Sequence, residues 1–420
     1  MTNTSDGPKV TIRSYQVGFG DCFLLTFDYG TAKRYALIDF GTNGTPDGND
    51  KAQLMRIAND IQQQCGSKLQ VVVATHRHKD HISGFSTDGA NSPGKIIASC
   101  KPEVVIQPWT EDPSTKTDAQ EATQTRVNNF AVALTSMHAF AGRAVAEAQT
   151  LQQFELSALT QISFDGQNNL PNLSAVENLI KMGKTRFYVN CGFPLDLNGV
   201  LPGVKVWVLG PPNLKQSQKI KTEQSSNPNE FWLQQANFWK VASRNHSDGR
   251  PLFKSIIRGK KYPLATRWFV NKTANVRADE LFGLVRILDK QMNNTSVILL
   301  LEVNGKRLLF PGDAQFENWS FALQQKQYQD LLHTVDLYKV GHHGSRNATP
   351  KSLWNLFERK SATHTSTQLK TMVSTMAGKY GKTPETQVPR EPLIKELKSK
   401  SDFFTTQSLT GSVFYHDEVL

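Results

Sequence analysis

The chain has 420 residues, 38% of them hydrophobic and 20% charged, and carries a formal net charge of +11. That length allows a large core, and that composition belongs to globular proteins and not to disordered chains. No apolar stretch approaches the roughly 20 residues that cross a bilayer, and the basic excess favours encounters with polyanions such as nucleic acid.

The N-terminal residues Met1 to Pro8 lack the basic start and apolar core of a secretory signal. Cys22, Cys65, Cys100 and Cys191 lie far apart, with no C-x-x-C pair. This spacing speaks against a disulfide framework and against a thiolate zinc site. Reduced thiols and a cytoplasmic location are the expectation, with no membrane partner.

Three strands open the chain: Val10 to Val17, Cys22 to Phe27 and Arg34 to Asp39, joined by glycine-bearing turns as in a β-meander. Lys51 to Cys65 has helical spacing in Leu54, Ile57 and Ile61. It leads into Val71-Val72-Val73-Ala74, a buried strand by its β-branched run, which breaks into Thr75-His76-Arg77-His78-Lys79-Asp80-His81. Imidazole is the commonest metal ligand, so His76, His78 and His81 can converge on metal if the loop curls, and Asp80 adds a hard oxygen ligand. Val104 to Gln107 is a further strand, and the alanine-rich stretch from about Ser114 to Gln161 predicts helices.

Strand patterns return at Val204 to Leu209, Ser296 to Glu302, Arg307 to Phe310 and Asp336 to Val340. Two of these also end in candidate ligands. Gly312-Asp313 places a carboxylate that can bridge two metals, and Gly341-His342-His343-Gly344-Ser345 ends the other strand in paired histidines. Strands in both halves, with helical stretches between them, predict an α/β fold of two sheets covered by helices within a single domain spanning 1-420.

Together Asp39, His76-x-His78-x-Asp80-His81, Gly312-Asp313 and His342 resemble the ordered motifs of the metallo-β-lactamase fold superfamily. Val17-Gly-Phe-Gly-Asp21, Val208-Leu-Gly-Pro-Pro212, Asn293-Asn-Thr-Ser296 and Gly341 to Ser345 are similar to the soluble nuclease-like domain of ComEC-type DNA-uptake competence proteins. The resemblance implies a four-layer αββα metallo-β-lactamase-type sandwich with two insertions, a helical one at 114-180 and a basic, aromatic one at 213-290. It implies two divalent metal ions, Zn²⁺ first, with Mn²⁺ or Mg²⁺ as alternatives. His76 and His78 would hold one ion, Asp80, His81 and His342 the other, and Asp313 would bridge them. Asp80 and Asp39 are the candidate catalytic carboxylates, Asp39 as an acceptor for the second N–H of a metal-bound imidazole.

Two positions depart from that pattern. Hydrolytic members of the superfamily supply a further histidine just before the strand that here begins at Ser296, where this chain has Asn293 and Asn294. The competence-type relatives also carry asparagines there, and an oxygen-richer shell suits Mn²⁺ or Mg²⁺; His246, in the second insertion, is a remote substitute. After Gly381 the relatives often have histidine, whereas Lys382 stands here, either a phosphate contact or a solvated lysine. His343 and Ser345 are further candidate substrate contacts, although a buried or capping hydroxyl also accounts for Ser345.

A metal pair of this kind lowers the pKa of a bridging water and clamps the attacking and leaving oxygens of an in-line displacement. The substrate has to be read elsewhere. Between Lys240 and Arg277 ten bases, among them Arg258, Lys260 and Lys261, face the single acid Asp248, interleaved with Trp239, Phe253, Tyr262 and Trp268. Cations for phosphates and rings for bases are what a nucleic-acid groove requires; a solvated basic face over a local core is the plainer alternative. The expectation is a metal-dependent phosphodiester hydrolase, a nuclease. The competing readings are a thioesterase, lactonase or cyclic-nucleotide phosphodiesterase of the same fold, and a conditionally active module that binds nucleic acid or a regulatory protein partner.

Overall fold

The computed structural model describes residues 7–112, 118–119, 128–129, 173–221, 227, 229–232, 292–381, 383 and 386–420. Among them are two large mixed sheets flanked by helices. The first sheet is built from β1 (Lys9–Tyr15), β2 (Cys22–Asp28), β3 (Lys33–Phe40), β4 (Val71–Val73), β5 (Val104–Pro108) and β6 (Thr185–Val189). The second contains β7 (Val204–Gly210), β8 (Ile298–Val303), β9 (Lys306–Phe310), β10 (Leu337–Lys339), β11 (Lys370–Val373) and β12 (Asp402–Thr405). The last strand, β13 (Tyr415–Val419), returns to the first sheet and pairs antiparallel with β1. Strand order is therefore β13-β1-β2-β3-β4-β5-β6 in one sheet and β12-β11-β10-β9-β8-β7 in the other. Each sheet joins an antiparallel half to a parallel half, the change falling at β3/β4 and at β9/β10.

Helices lie beside both sheets: α1 (Asp50–Cys65), the single turn α2 (Lys79–Ile82), α3 (Pro93–Ser99) and α4 (Leu173–Met182) after strands of the first, then α5 (Phe316–Ala322), α6 (Lys326–His333), α7 (Lys351–Leu356) and α8 (Glu391–Lys400). The sequence sets the bounds of α1 locally. Asn49 accepts a hydrogen bond from the Ala52 N–H, and Gly66 takes the left-handed cap.

Alternation along the strands distributes the core. Phe23, Leu25, Ile38 and Val73 of the first sheet share one apolar cluster with Val208, Leu299, Leu301, Phe310 and Leu337 of the second. The intervening residues Leu24, Leu37, Val72 and Val105 pack instead against Leu54, Ile57 and Ile61 of α1, Ile97 of α3 and Leu179 of α4. In the second sheet Leu300, Leu309 and Tyr338 meet Trp319 of α5, Leu332 of α6, Trp354 of α7 and Leu397 of α8. Burial on both faces explains why these strands are near-continuous apolar runs.

Within the stretch read as helical, the described residues Asp118–Ala119 and Asn128–Asn129 pair as a short antiparallel ladder, in keeping with the low helix propensity of asparagine; the rest of 114–172 lies outside the described residues. Residues 173–180, assigned to the helical insertion, belong to α4 and contribute to the core of the first sheet. All four cysteines are free and buried. Among the described residues no helix is long and apolar enough to cross a membrane.

Candidate metal centre

Donor residues from both sheets meet at the C-terminal ends of β3, β4, β9 and β10, the edge where open α/β sheets place ligands. Asp39 gets there through a bulge. The β2/β3 register shifts between Cys22 and Phe23, so that Cys22 faces Phe40 and Phe23 faces Ile38, and the extra residue Asp39 takes φ 55°. Its Oδ1 accepts from the Thr75 N–H at 2.7 Å, and its Oδ2 accepts from Thr75 Oγ1 at 2.7 Å and from His81 Nδ1 at 2.8 Å. One carboxylate thus fixes the start of the histidine loop and the ring of its last histidine.

The loop then curls tightly. His78 directly precedes α2, which carries Asp80 and His81. Gly41 lets the backbones approach: a Cβ there would lie 2.5 Å from Lys79 O and 2.6 Å from the His81 nitrogen. His76 Nε2 lies 3.0 Å from His78 Nδ1, so the two imidazoles turn nitrogens toward one another. The second sheet is pinned to this loop by the Val297 N–H, which donates to Thr75 O at 2.9 Å.

From the second sheet come Asp313, after β9, and His343, after β10. Asp80, His81, Asp313 and His343 form a buried group whose donor atoms all lie within 4.8 Å of one another, a set that could hold a metal ion. His81 Nε2 stands 3.1 Å from Asp313 Oδ1, and His343 Nε2 stands 3.1 Å from Asp80 Oδ2 and 3.5 Å from Asp313 Oδ2. Behind each imidazole is an acceptor: Asp39 for His81 Nδ1, and Ser374 O for His343 Nδ1 at 2.9 Å. An N–H held from behind leaves the opposite nitrogen for a metal, the usual orienting device at such centres.

Burial alone would keep these groups neutral, and their mutual charges decide otherwise. For Asp313 burial opposes the charged form, but His81 and His343 hold the carboxyl well below its ordinary range. Asp80 is brought to about 2 against burial, by the hydrogen bond from His343 and the charges of His81 and His343. His81 is held well above its usual value against burial by Asp313, Asp39 and Asp21. His76 goes the other way, since burial and then His81 and His78 push it well below. The group is a set of charges that stabilise one another, and a divalent ion would take over the neutralising part that protonated imidazoles play without it. Among the described residues the buried Asp80 Oδ1 and His342 Nδ1 have no hydrogen-bond partner. Hard carboxylate oxygens beside imidazole nitrogens, with orphaned polar atoms among them, fit a divalent cation.

Of the residues read from sequence, the fold brings together Asp39, His76, His78, Asp80, His81, Asp313 and the histidine pair. The pair divides its work differently from the expectation. His343, read as a substrate contact, belongs to the compact donor set, while His342 Nε2 lies 3.7 Å from Asp313 Oδ2 and its side chain is 26% exposed. Both residues are left-handed, φ 46° and 53°, so the pair does not continue the β-strand before it. Ser345 Oγ donates to Asn347 Oδ1 at 3.3 Å within the same turn. Asn293 is buried, and among the described residues its Oδ1 and Gln315 Oε1 have no hydrogen-bond partner. Arg258, Lys260, Lys261, His246 and Lys382 lie outside the described residues.

Two members of the centre escaped the sequence reading. Asp21 is buried 3.6 Å from His81 Nδ1 and 3.6 Å from His343 Nδ1. Lys339, the last residue of β10, is 1% exposed, paired with Asp21, and donates to Gly312 O at 3.2 Å. A lysine inside the otherwise apolar Leu337-Tyr338-Lys339-Val340 was the available signal. Comparison with protein-family models and with curated proteins finds no match for this chain.

Proposed function

We propose that the protein is a metal-dependent phosphodiester hydrolase, a nuclease, and that its two sheets and flanking helices form the four-layer αββα sandwich of the metallo-β-lactamase fold. The observation that carries this reading is the buried Asp80, His81, Asp313, His343 donor set at the junction of the sheets. His76 and His78, with facing nitrogens, would hold a second ion beside it. Bound divalent ions supply Lewis acidity and a nucleophilic water near neutral pH. The chain's own groups orient that chemistry: Asp39 holds His81, Ser374 O holds His343, and Asp313 faces both imidazoles.

The substrate assignment rests on the basic, aromatic segment from Lys240 to Arg277, whose ten cations and interleaved rings suit a polyanion with stackable bases. The buried free thiols support a reducing compartment, the cytoplasm.

Chelator-stripped protein, incubated with labelled single- and double-stranded DNA and RNA and with Zn²⁺, Mn²⁺ or Mg²⁺ restored singly, tests the reading. Cleavage should require metal and fall at least roughly a thousandfold in Asp80→Ala, as is common when a group that acts in the chemistry itself is lost. Neutralising Arg258, Lys260 and Lys261 should weaken polymer cleavage and its salt dependence while sparing a small diester. Turnover of bis-p-nitrophenyl phosphate with no polymer cleaved would move the assignment to a small diester.

A further inference from the structure

Asp21, Asp39 and His81 form a second close group of donors, but Lys339 already supplies a cation there. Its Nζ is paired with Asp21, lies 3.2 Å from Gly312 O and 3.9 Å from Asp313 Oδ1, and is sealed from water. Asp21 in turn stands 3.6 Å from the Nδ1 atoms of both His81 and His343. The pair therefore adjoins three of the four residues of the compact donor set: Asp21 stands behind both imidazoles, on their Nδ1 side, and Lys339 stands beside Asp313 Oδ1, the oxygen that faces His81 Nε2. Neither residue has an evident covalent or proton-transfer task, and a buried ion pair is a weak source of stability in itself.

We propose that Lys339 and Asp21 are positioning residues whose opposed charges set the affinity of the neighbouring donor set for its divalent ion. The inference rests on the metal-centre reading above. Lys339 draws on Asp313 and repels an incoming dication, while Asp21 absorbs most of that charge. Removing the ammonium leaves the pocket more negative by one charge. Removing the carboxylate turns the full ammonium toward Asp313. The two substitutions should consequently move metal affinity in opposite directions, a result that loss of packing cannot give because it would weaken both variants. At an effective dielectric of about 20, a unit charge at this range is worth at least roughly tenfold in divalent affinity.

The test is calorimetric titration of Mn²⁺, and separately Zn²⁺, into the chelator-stripped full chain. Lys339→Met should bind at least about tenfold more tightly than the parent, Asp21→Asn at least about tenfold more weakly, and Lys339→Arg, which keeps the charge, within about threefold. The double variant Asp21→Asn/Lys339→Met should regain the affinity that Asp21→Asn loses, which supplies the comparison if Lys339→Met alone fails to fold. Weaker binding by both single variants, or a double variant no tighter than Asp21→Asn, overturns the charge-setting role while leaving the metal centre standing. A parent chain that takes up neither ion overturns both.

Discussion

Asp39 and Gly41 show how single residues decide whether the centre exists. Asp39 is in a left-handed conformation at a bulge, and its carboxylate satisfies the Thr75 N–H, the Thr75 hydroxyl and His81. Gly41, two residues on, is pressed against the first turn of α2. A methyl group in that space has only backbone to displace, so Gly41→Ala should destabilise the protein by about 1–3 kcal/mol, the range for overpacked sites. Urea denaturation followed by circular dichroism measures this loss, and a shift under about 0.5 kcal/mol, typical of unremarkable surface sites, would show that the backbones can separate. The successive left-handed residues His342 and His343 store strain of order 1–3 kcal/mol each. The bonds of the His343 ring to Ser374 O and Asp80 hold that turn in place.

At the scale of elements, β10 places chemistry on each of its faces. Leu337 enters the cluster between the sheets, Lys339 ends beside Asp313, and Tyr338 turns toward α7 and the helix-side core. The Tyr338 hydroxyl sits 2.9 Å from Thr349 Oγ1 and accepts from the Gly341 N–H at 3.4 Å, and burial pushes its pKa up to about 12. An unfolded tyrosine titrates near 10, so the folded state favours the neutral phenol. That stabilisation is complete below about pH 10 and is lost as pH rises toward 12, a change on the order of 3 kcal/mol in total. Tyr338→Phe should therefore flatten the fall in stability between about pH 10 and 12, measured by urea denaturation at each pH. An unchanged slope would place the titration elsewhere.

The same element scale shows what sequence could reveal. The strands β1 to β5 and β7 to β10 were legible because their apolar runs are local and bounded by turns. β6 escaped because it is an edge strand, with Val189 its sole buried residue. The segments β11 to β13 depend on distant partners, β13 pairing with β1 from the other end of the chain. In the centre, the clustered candidate donors of the histidine loop and Asp313 could be read, since each follows an apolar strand. The pairing of Lys339 with Asp21 could not, because a buried charge declares its purpose only when its counter-charge, remote in sequence, is set beside it. The choice of His343 over His342 within the donor set was hidden for another reason: it falls at two left-handed residues, where no strand periodicity applies.

For the molecule as a whole, one apolar cluster takes residues from both sheets, and so the sheets are expected to melt together. Calorimetry should show a single transition for the described framework, with calorimetric and van't Hoff enthalpies in agreement; two resolved transitions would refute this coupling. An ion that binds only the folded chain adds about 2.7 kcal/mol of stability at a hundred times its Kd. Mn²⁺ or Zn²⁺ should accordingly raise the melting temperature of chelator-stripped protein, and Asp313→Asn should abolish the rise. A rise of equal size in that variant would place the ion elsewhere.

The division of the donor set between the two sheets has a temporal consequence during biosynthesis. The ribosome delivers the histidine loop about 230 residues before Asp313, a delay of roughly 10–50 s at ordinary elongation rates. For that interval the nascent chain carries Asp80 and His81 with neither Asp313 nor His343 opposite them. The full donor set then forms late and all at once, when the second sheet docks, so that truncated translation products inherit the histidine loop without Asp313 or His343.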